Sequence, residues 1–252
     1  MELPIPRHDW SEPLIDPALP PLALIPARGG SKGIPHKNLQ PLGGLPLVGR
    51  TVQCALAATC IGRVVVSTDD GAIAEAAAAA GAELVTRPAA LAGDGASSES
   101  ALVHALRDLG QQGALPPVFV FLQCTSPFTT GEQIDQVVRA LQGSEANLAF
   151  AVTPWHGFLW GRDPDGWGVG LNHDASRPRQ RRQDLEPCFL ETGSIYALRT
   201  QAFLSAASRF VPPLLPVEIE ALSPEIDTPA DLALCRQLAP LLEGAVPGGL
   251  GG

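Results

Sequence analysis

An α/β fold, a mostly parallel twisted sheet flanked by helices with one small protruding excursion, is what this sequence predicts. Short apolar runs alternate with longer amphipathic or Ala-rich stretches, as βαβ units require. A loop rich in glycine and cations follows the first apolar run directly, where α/β proteins place their ligands. The chain of 252 residues, 45% hydrophobic and 17% charged, is long and apolar enough for one large domain with a substantial core.

Residues 1–21 hold Pro4, Pro6, Pro13, Pro17, Pro20 and Pro21 and lack a basic start followed by an apolar segment, so they read as an irregular leader and not an export signal. The domain proper is placed at 22–243. Its first strand is 22–26, followed by the Gly-rich loop, a helix over 47–59 and a β-branched strand over 64–68. Asp69, Asp70 and Gly71 turn the chain. Residues 73–80 have high helix propensity, and Gly81 stops that helix before a strand at 83–86. Ser and Glu open a helix over 97–109 that Gly110 is expected to end. Strands are predicted at 118–122 and 147–152.

From 153 to 192 the periodicity fails and Trp, Gly, Pro and Arg dominate. This piece is predicted to leave the sheet and to shape a substrate site or a subunit contact, since long irregular segments inside compact domains are usually functional. A strand at 193–198 and a helix at 228–242 complete the domain, and the Gly-rich tail 244–252 is expected to fray.

A formal net charge of -9 argues against nucleic acid or an anionic membrane as partner, so any anion site must be local. No apolar run approaches the roughly 20 residues that cross a bilayer, and the cytosol is the expected location. The five cysteines, Cys54, Cys60, Cys124, Cys188 and Cys235, are odd in number and widely spread, which suits reduced thiols. Small molecules remain as the expected ligands.

The loop 28–38 carries the chemistry. Gly29, Gly30 and Gly33 remove side chains so that backbone N–H groups can converge on an anion, while Arg28, Lys32 and Lys37 place three positive charges around the same cavity. A triphosphate fits that description, although the loop is neither a Walker motif nor a dinucleotide fingerprint. Further along, alternation puts Glu225 and Asp227 on one side of an extended segment, where both carboxylates can face a hard cation such as Mg²⁺. A second reading stands beside it: Asp227 or Thr228 as the N-cap of the last helix, with Pro229 at its first position. Gln123, at a strand end, can bond a sugar or base, or satisfy loop backbone.

These residues resemble the cytidylyltransferases that activate acidic sugars, in particular the acylneuraminate (CMP-sialic acid) synthetases. The loop is close to that family's signature. The likeness continues through Val66-Ser67-Thr68-Asp69, Arg87-Pro88-Ala89, Ala96-Ser97-Ser98, Gln123 with Thr125-Ser126-Pro127, Arg182-Gln183, Gly193-Ser194-Ile195-Tyr196 and Ile226-Asp227-Thr228-Pro229. It covers about residues 22–240.

The resemblance implies a Rossmann-like nucleotidyltransferase fold, a homodimer whose protruding element contributes to the partner's sugar site, CTP as co-substrate and Mg²⁺ as metal. Carried over by position, Arg28, Lys32 and Lys37 hold the triphosphate, with Gly29, Gly30, Ser31 and Gly33 in the same grip. Asn38, Arg87 and Ser98 contact the cytidine, and Gln123 contacts the sugar. Arg182 faces the sugar carboxylate, Tyr196 lines its pocket, and Asp227 with Glu225 binds the metal. The implied reaction moves CMP from CTP to the anomeric hydroxyl of a sialic or related nonulosonic acid. The alternatives are an eight-carbon sugar acid and a non-catalytic nucleotide-binding relative.

Three departures from the family pattern bear on the site. Glu225 stands where the family commonly has Asp, Phe158, Leu159 and Trp160 stand near a family lysine, and Thr192 stands where it has Asn. Two of the three fall on the sugar side.

Overall fold

Alternation within the first strand sets the layering. In β1 (Leu22–Pro26), Ala23 and Ile25 belong to one apolar cluster and Leu22 and Leu24 to the other, and all four are buried. Two opposite apolar faces in one strand demand helices on both sides of the sheet. The computed structural model describes residues 13–93, 95–179, 181, 186–220 and 224–243.

After β1, a short hairpin of β2 (Pro41–Leu42) and β3 (Leu45–Pro46) leads into helix α1 (Leu47–Ala57). Then come β4 (Arg63–Thr68), α2 (Gly71–Ala79), β5 (Glu83–Thr86), α3 (Ser98–Gln112), β6 (Val118–Leu122) and α4 (Gly131–Gln142). The second half contains β7 (Leu148–Trp155), β8 (Trp160–Arg162), β9 (Gly168–Gly170), β10 (Cys188–Arg199), α5 (Thr200–Ala206), β11 (Leu214–Glu218) and α6 (Pro229–Glu243). Seven strands form one sheet in the order β11-β7-β10-β6-β1-β4-β5. β1 runs parallel to β4 and β6, β4 to β5 and β7 to β11, whereas β10 is antiparallel to β6 and β7. Helices α1, α2, α4 and α6 pack on one face, and α3 with α5 on the other.

Where the structure departs from the sequence pattern, tertiary contacts explain it. Helix α3 passes through Gly110 to Gln112, and Gly113 is its C-cap. Gly110 is tolerated inside because Pro13 packs against it: an added Cβ would lie 2.6 Å from the Pro13 ring. Pro13 belongs to the described part of the leader, which is fastened by backbone bonds between Asp16 and Leu115 and between Leu115 and Leu14. The first 12 residues, and the tail from 244 on, lie outside the described residues.

No element is expected at 131–142, yet α4 lies there, opened by a capping box in which Thr130 and Gln133 satisfy each other's backbone N–H. Its first residue, Gly131, abuts the backbone of Ala57 and Ala58. One turn later the Asp135 carboxylate accepts the N–H groups of Thr59 and Cys60 and the Thr59 hydroxyl, which ties the end of α1 to α4. Burial alone pushes the Asp135 carboxyl up, but these donors and the Cys60 thiol outweigh it and hold the pKa at about 2. A carboxyl lowered in the folded state stabilises above the ordinary carboxylate range, and that contribution is lost as pH falls through about 4 toward 2. Asp135→Ala leaves two part-buried backbone donors without their partner, and a loss of about 1–2 kcal/mol in urea denaturation is expected.

The excursion is more regular than its composition suggests. β7 and β10 continue as an antiparallel ribbon, with Cys188 opposite Trp155 and Leu190 opposite Thr153, and β8 and β9 form a small hairpin at its tip. The ribbon register shifts between Glu191 and Tyr196, at a bulge where Gly193 has φ 66°. At that bulge the Gly193 carbonyl accepts from Gln123, a residue of the cleft described next.

Candidate functional site

β1, β4 and β6 are parallel, so the segments leaving their carboxyl ends meet at one edge of the sheet. A cleft of about 250 Å³ opens there. Its lining includes Arg28, Lys37 and Asn38 from the loop after β1, Arg87 from the turn after β5, Ser98 from the first turn of α3, and Gln123 after β6. Six residues singled out from the sequence thus face a single cavity. Phe121 and Thr125 complete the floor between them.

The loop is held from several directions. Asn38 Nδ2 donates to the Arg28 carbonyl at 2.9 Å, drawing its two ends together, and Arg28 Nη1 reaches the Gly93 carbonyl at 3.0 Å across the cleft. The glycines divide their tasks. Gly29 donates its N–H to Asp69 Oδ1 at 3.0 Å, so this donor is committed to β4's end and does not point at an anion. Gly33 has no room for a side chain because the Asp227 carbonyl oxygen occupies the space a Cβ would take, whereas Gly30 meets nothing there. Lys32 is exposed and Ser31 half-buried on the same loop.

Arg87 is buried, with its guanidinium on the Ser67 carbonyl at 2.6 Å and its backbone N–H on Thr68. Burial lowers its pKa, the Asp69 charge opposes that, and the Arg28 charge adds to it. A guanidinium stays protonated throughout, so the cleft keeps a fixed positive wall.

Across the loop, Lys37 Nζ pairs with Asp227 Oδ1 at 3.0 Å. The competing roles of Asp227 are separated by its neighbours. Thr228 Oγ1 accepts the Asp231 N–H, while the Asp231 carboxylate takes the N–H groups of Asp227 and Thr228, so the cap of α6 is made by Thr228 and Asp231. Asp227 keeps its carboxylate free of capping and 66% exposed. Ile226 is buried between Glu225 and Asp227, and its N–H is fixed on the Thr125 carbonyl at 2.8 Å. Burial raises the Glu225 pKa, the charges of Asp227 and Glu191 raise it further, and Lys37 opposes them.

Glu225 lies against the Gly193 bulge, whose carbonyl accepts from Gln123 Nε2 at 2.7 Å. The sugar-side residues are less uniform. Tyr196 is buried, its ring stacked on Phe121 at 5.4 Å and its hydroxyl donating to Glu191, so it stands behind the cleft floor. Thr192 is buried and bonded to Ser194 and to the Ala151 carbonyl. Arg182 lies outside the described residues.

Asp227 is mostly exposed, whereas Glu225, one methylene longer, is made reluctant to ionise first by burial and then by the charges of Asp227 and Glu191; these are the carboxylates that could serve a divalent cation such as Mg²⁺. Such an ion uses one or two carboxylates and fills its remaining positions with phosphate and water. Among the described residues no cluster of three or more His, Cys, Asp or Glu side chains is placed to hold a metal alone. No described helix is long and apolar enough to cross a membrane. Sequence reasoning passes over Asp69, Glu191 and Arg50; the last grips the turn after Gln123 through the Pro127 carbonyl at 3.3 Å. Only Asp69 carried a signal, as part of the Val66-Ser67-Thr68-Asp69 run.

Residues 22–159 match the family model described as cytidylyltransferase. A CMP-N,N'-diacetyllegionaminic acid synthase of Legionella pneumophila is 31% identical over 231 residues, 89% of this chain and 98% of that protein. An N-acylneuraminate cytidylyltransferase A of Danio rerio is 35% identical over 179 residues, 69% of this chain but 40% of that longer protein. Among solved structures, a CMP:2-keto-3-deoxy-manno-octonic acid synthetase complexed with CTP superposes with TM-score 0.64 at 20% identity, covering 87% of this chain and 98% of that one. At that identity the likeness is one of fold.

Proposed function

The chain belongs to the cytidylyltransferase family, and we propose that it transfers CMP from CTP to the anomeric hydroxyl of an acidic α-keto sugar, a sialic or related nonulosonic acid, releasing pyrophosphate. The observation that carries this reading is the meeting of Arg28, Lys37, Asn38, Arg87, Ser98 and Gln123 in one cleft at the carboxyl edge of the sheet. The legionaminic acid synthase, matched over nearly its whole length, supports the sugar class.

In the reaction the anomeric hydroxyl gives up its proton to water as its oxygen bonds to the α-phosphorus, and the bond from that phosphorus to the bridging oxygen breaks, the oxygen leaving with pyrophosphate. Negative charge grows on the departing pyrophosphate, and Arg28, Lys32 and Lys37 stabilise it in place; such preorganised electrostatics are usually the largest catalytic contribution. Asn38, Arg87 and Ser98 hold the cytidine end, and Gln123 orients the sugar. Asp227 and Glu225 would hold Mg²⁺, which supplies further charge neutralisation at the phosphates. With the ion bound, Asp227 would be a ligand and Lys37, its partner in the ion pair, would be available to the phosphates. Chelation with EDTA is expected to abolish turnover while leaving far-UV circular dichroism unchanged. Retained turnover would remove the metal from the account.

The working unit we propose is a cytoplasmic homodimer built on the ribbon. Trp155, Leu159, Trp160, Phe189 and Leu190 are exposed apolar side chains on it, an apolar surface that suits a subunit contact. Sedimentation equilibrium should give a dimer, and Trp160→Glu combined with Phe189→Glu should give a folded monomer. A monomeric unsubstituted chain would contradict the proposal. Direct calorimetric titration tests the nucleotide site: Arg87→Met should weaken CTP binding by about tenfold or more, as loss of a charged hydrogen-bonding partner does.

A further inference from the structure

Arg209 lies outside every motif discussed above and yet packs over Phe121, which lines the cleft. It follows α5 and returns over the α3 face of the sheet. Its Nε donates to Glu99 Oε1 at 2.6 Å across 110 residues of sequence, and both side chains are largely shielded from solvent. The same guanidinium lies over the rings of Phe121 and Tyr196, at 4.7 and 4.9 Å from their centroids. Glu99 is the residue after Ser98, in the first turn of α3, while Phe121 lines the cleft floor. Tyr196 in turn bonds Glu191, whose charge acts on Glu225.

We propose that Arg209 is a positioning residue that couples the first turn of α3, beside the cleft residue Ser98, to Tyr196 and its partner Glu191, through its ion pair with Glu99 and its contact with the stacked Phe121 and Tyr196 rings. This rests on the cytidylyltransferase reading and extends it to a residue outside the cleft lining. A shielded ion pair alone is weak evidence of stabilisation. Here the cation is also held by aromatic faces, so its displacement moves Glu99 and the stacked pair of Phe121 and Tyr196 together. When the nucleotide seats against Ser98, the first turn of α3 shifts Glu99, and Arg209 passes that shift to Tyr196 and the carboxylates beyond it. Coupling of this kind spans roughly 5- to 150-fold in ligand affinity.

Tyr196 is the only tyrosine in the chain, so a ¹³C label at the tyrosine Cζ gives one NMR resonance that reports this link without turnover. Addition of CTP to the unsubstituted protein should shift that resonance. In Arg209→Met and in Glu99→Gln, CTP should still bind, but the shift should be lost. CTP affinity without the sugar acid should change little, while the mutual enhancement of CTP and sugar-acid binding should fall about tenfold from either side. Arg209→Lys should restore part of the response. Glu99→Gln leaves the arginine on its aromatic seat, so it tests the link even where Arg209→Met fails to fold. Intact CTP binding with an unchanged tyrosine response in Glu99→Gln overturns the coupling alone. Absence of CTP binding by the unsubstituted protein overturns the cytidylyltransferase reading and the coupling with it.

Discussion

Asp227→Ala lowers turnover by about 10²- to 10³-fold, the loss that accompanies removal of one preorganised electrostatic group, and leaves stability unchanged. The separation of the two effects follows from how α6 begins. Thr228 and Asp231 supply the cap, and the Asp227 side chain is mostly in solvent with Lys37 as its partner. Exposed ion pairs of this kind contribute little to folding. Thr228→Ala has the opposite profile: it removes the cap and costs about 1 kcal/mol, with a smaller effect on turnover. Steady-state rates and urea midpoints of the two variants side by side decide the matter. Full activity in Asp227→Ala would show that its carboxylate takes no part in the reaction.

Gly33→Ala is the second large effect, and its cause is steric. An alanine Cβ would collide with the Asp227 carbonyl oxygen, a backbone atom held in place by the fixed Ile226 and the capped start of α6. The loop must therefore retreat, and Lys37 leaves Asp227. A misplacement of about 1 Å in such a site costs on the order of 10²-fold in rate. Overpacking adds about 1–3 kcal/mol of lost stability. Gly30→Ala is the control, because nothing stands within reach of a Cβ there, and it should be close to neutral in both respects. Equal rates for the two alanine variants would mean that the contact between loop and Asp227 is incidental.

Much of this arrangement is legible in the residues themselves, and the exceptions have physical reasons. β6 is a β-branched and aromatic run, β1 an aliphatic one and β5 a short mixed one after the Gly81 stop, and the limits of all three coincide with the sequence pattern. α4 had a signal as well, in Thr130 with Gln133 and in the spacing of Ile134, Val137, Val138 and Leu141, all of which are buried. β11 is different: Pro216 inside it argues against a strand, and the segment survives because it lies at the sheet edge. Gly110 stays helical for a reason no local rule contains, the arrival of Pro13 from the leader.

The cleft divides in the same way. Arg28, Lys37 and Asn38 are close in sequence and declare an anion site by composition alone. The bond from Gly29 to Asp69 joins residues 40 apart and that from Arg209 to Glu99 joins residues 110 apart, so neither has a periodicity to read. Asp227 shows the limit most plainly. Metal ligand and helix cap look alike in a sequence of Asp-Thr-Pro, and only the bonds made by Asp231 tell that the capping is done by others.

Release of pyrophosphate, measured with CTP and a panel of α-keto sugar acids in the presence of Mg²⁺ and with UTP, ATP and GTP as controls, tests the whole account most directly. It predicts release with CTP and at least one nonulosonic acid, and none with CTP alone. No release under any combination, or release with GTP only, would contradict it.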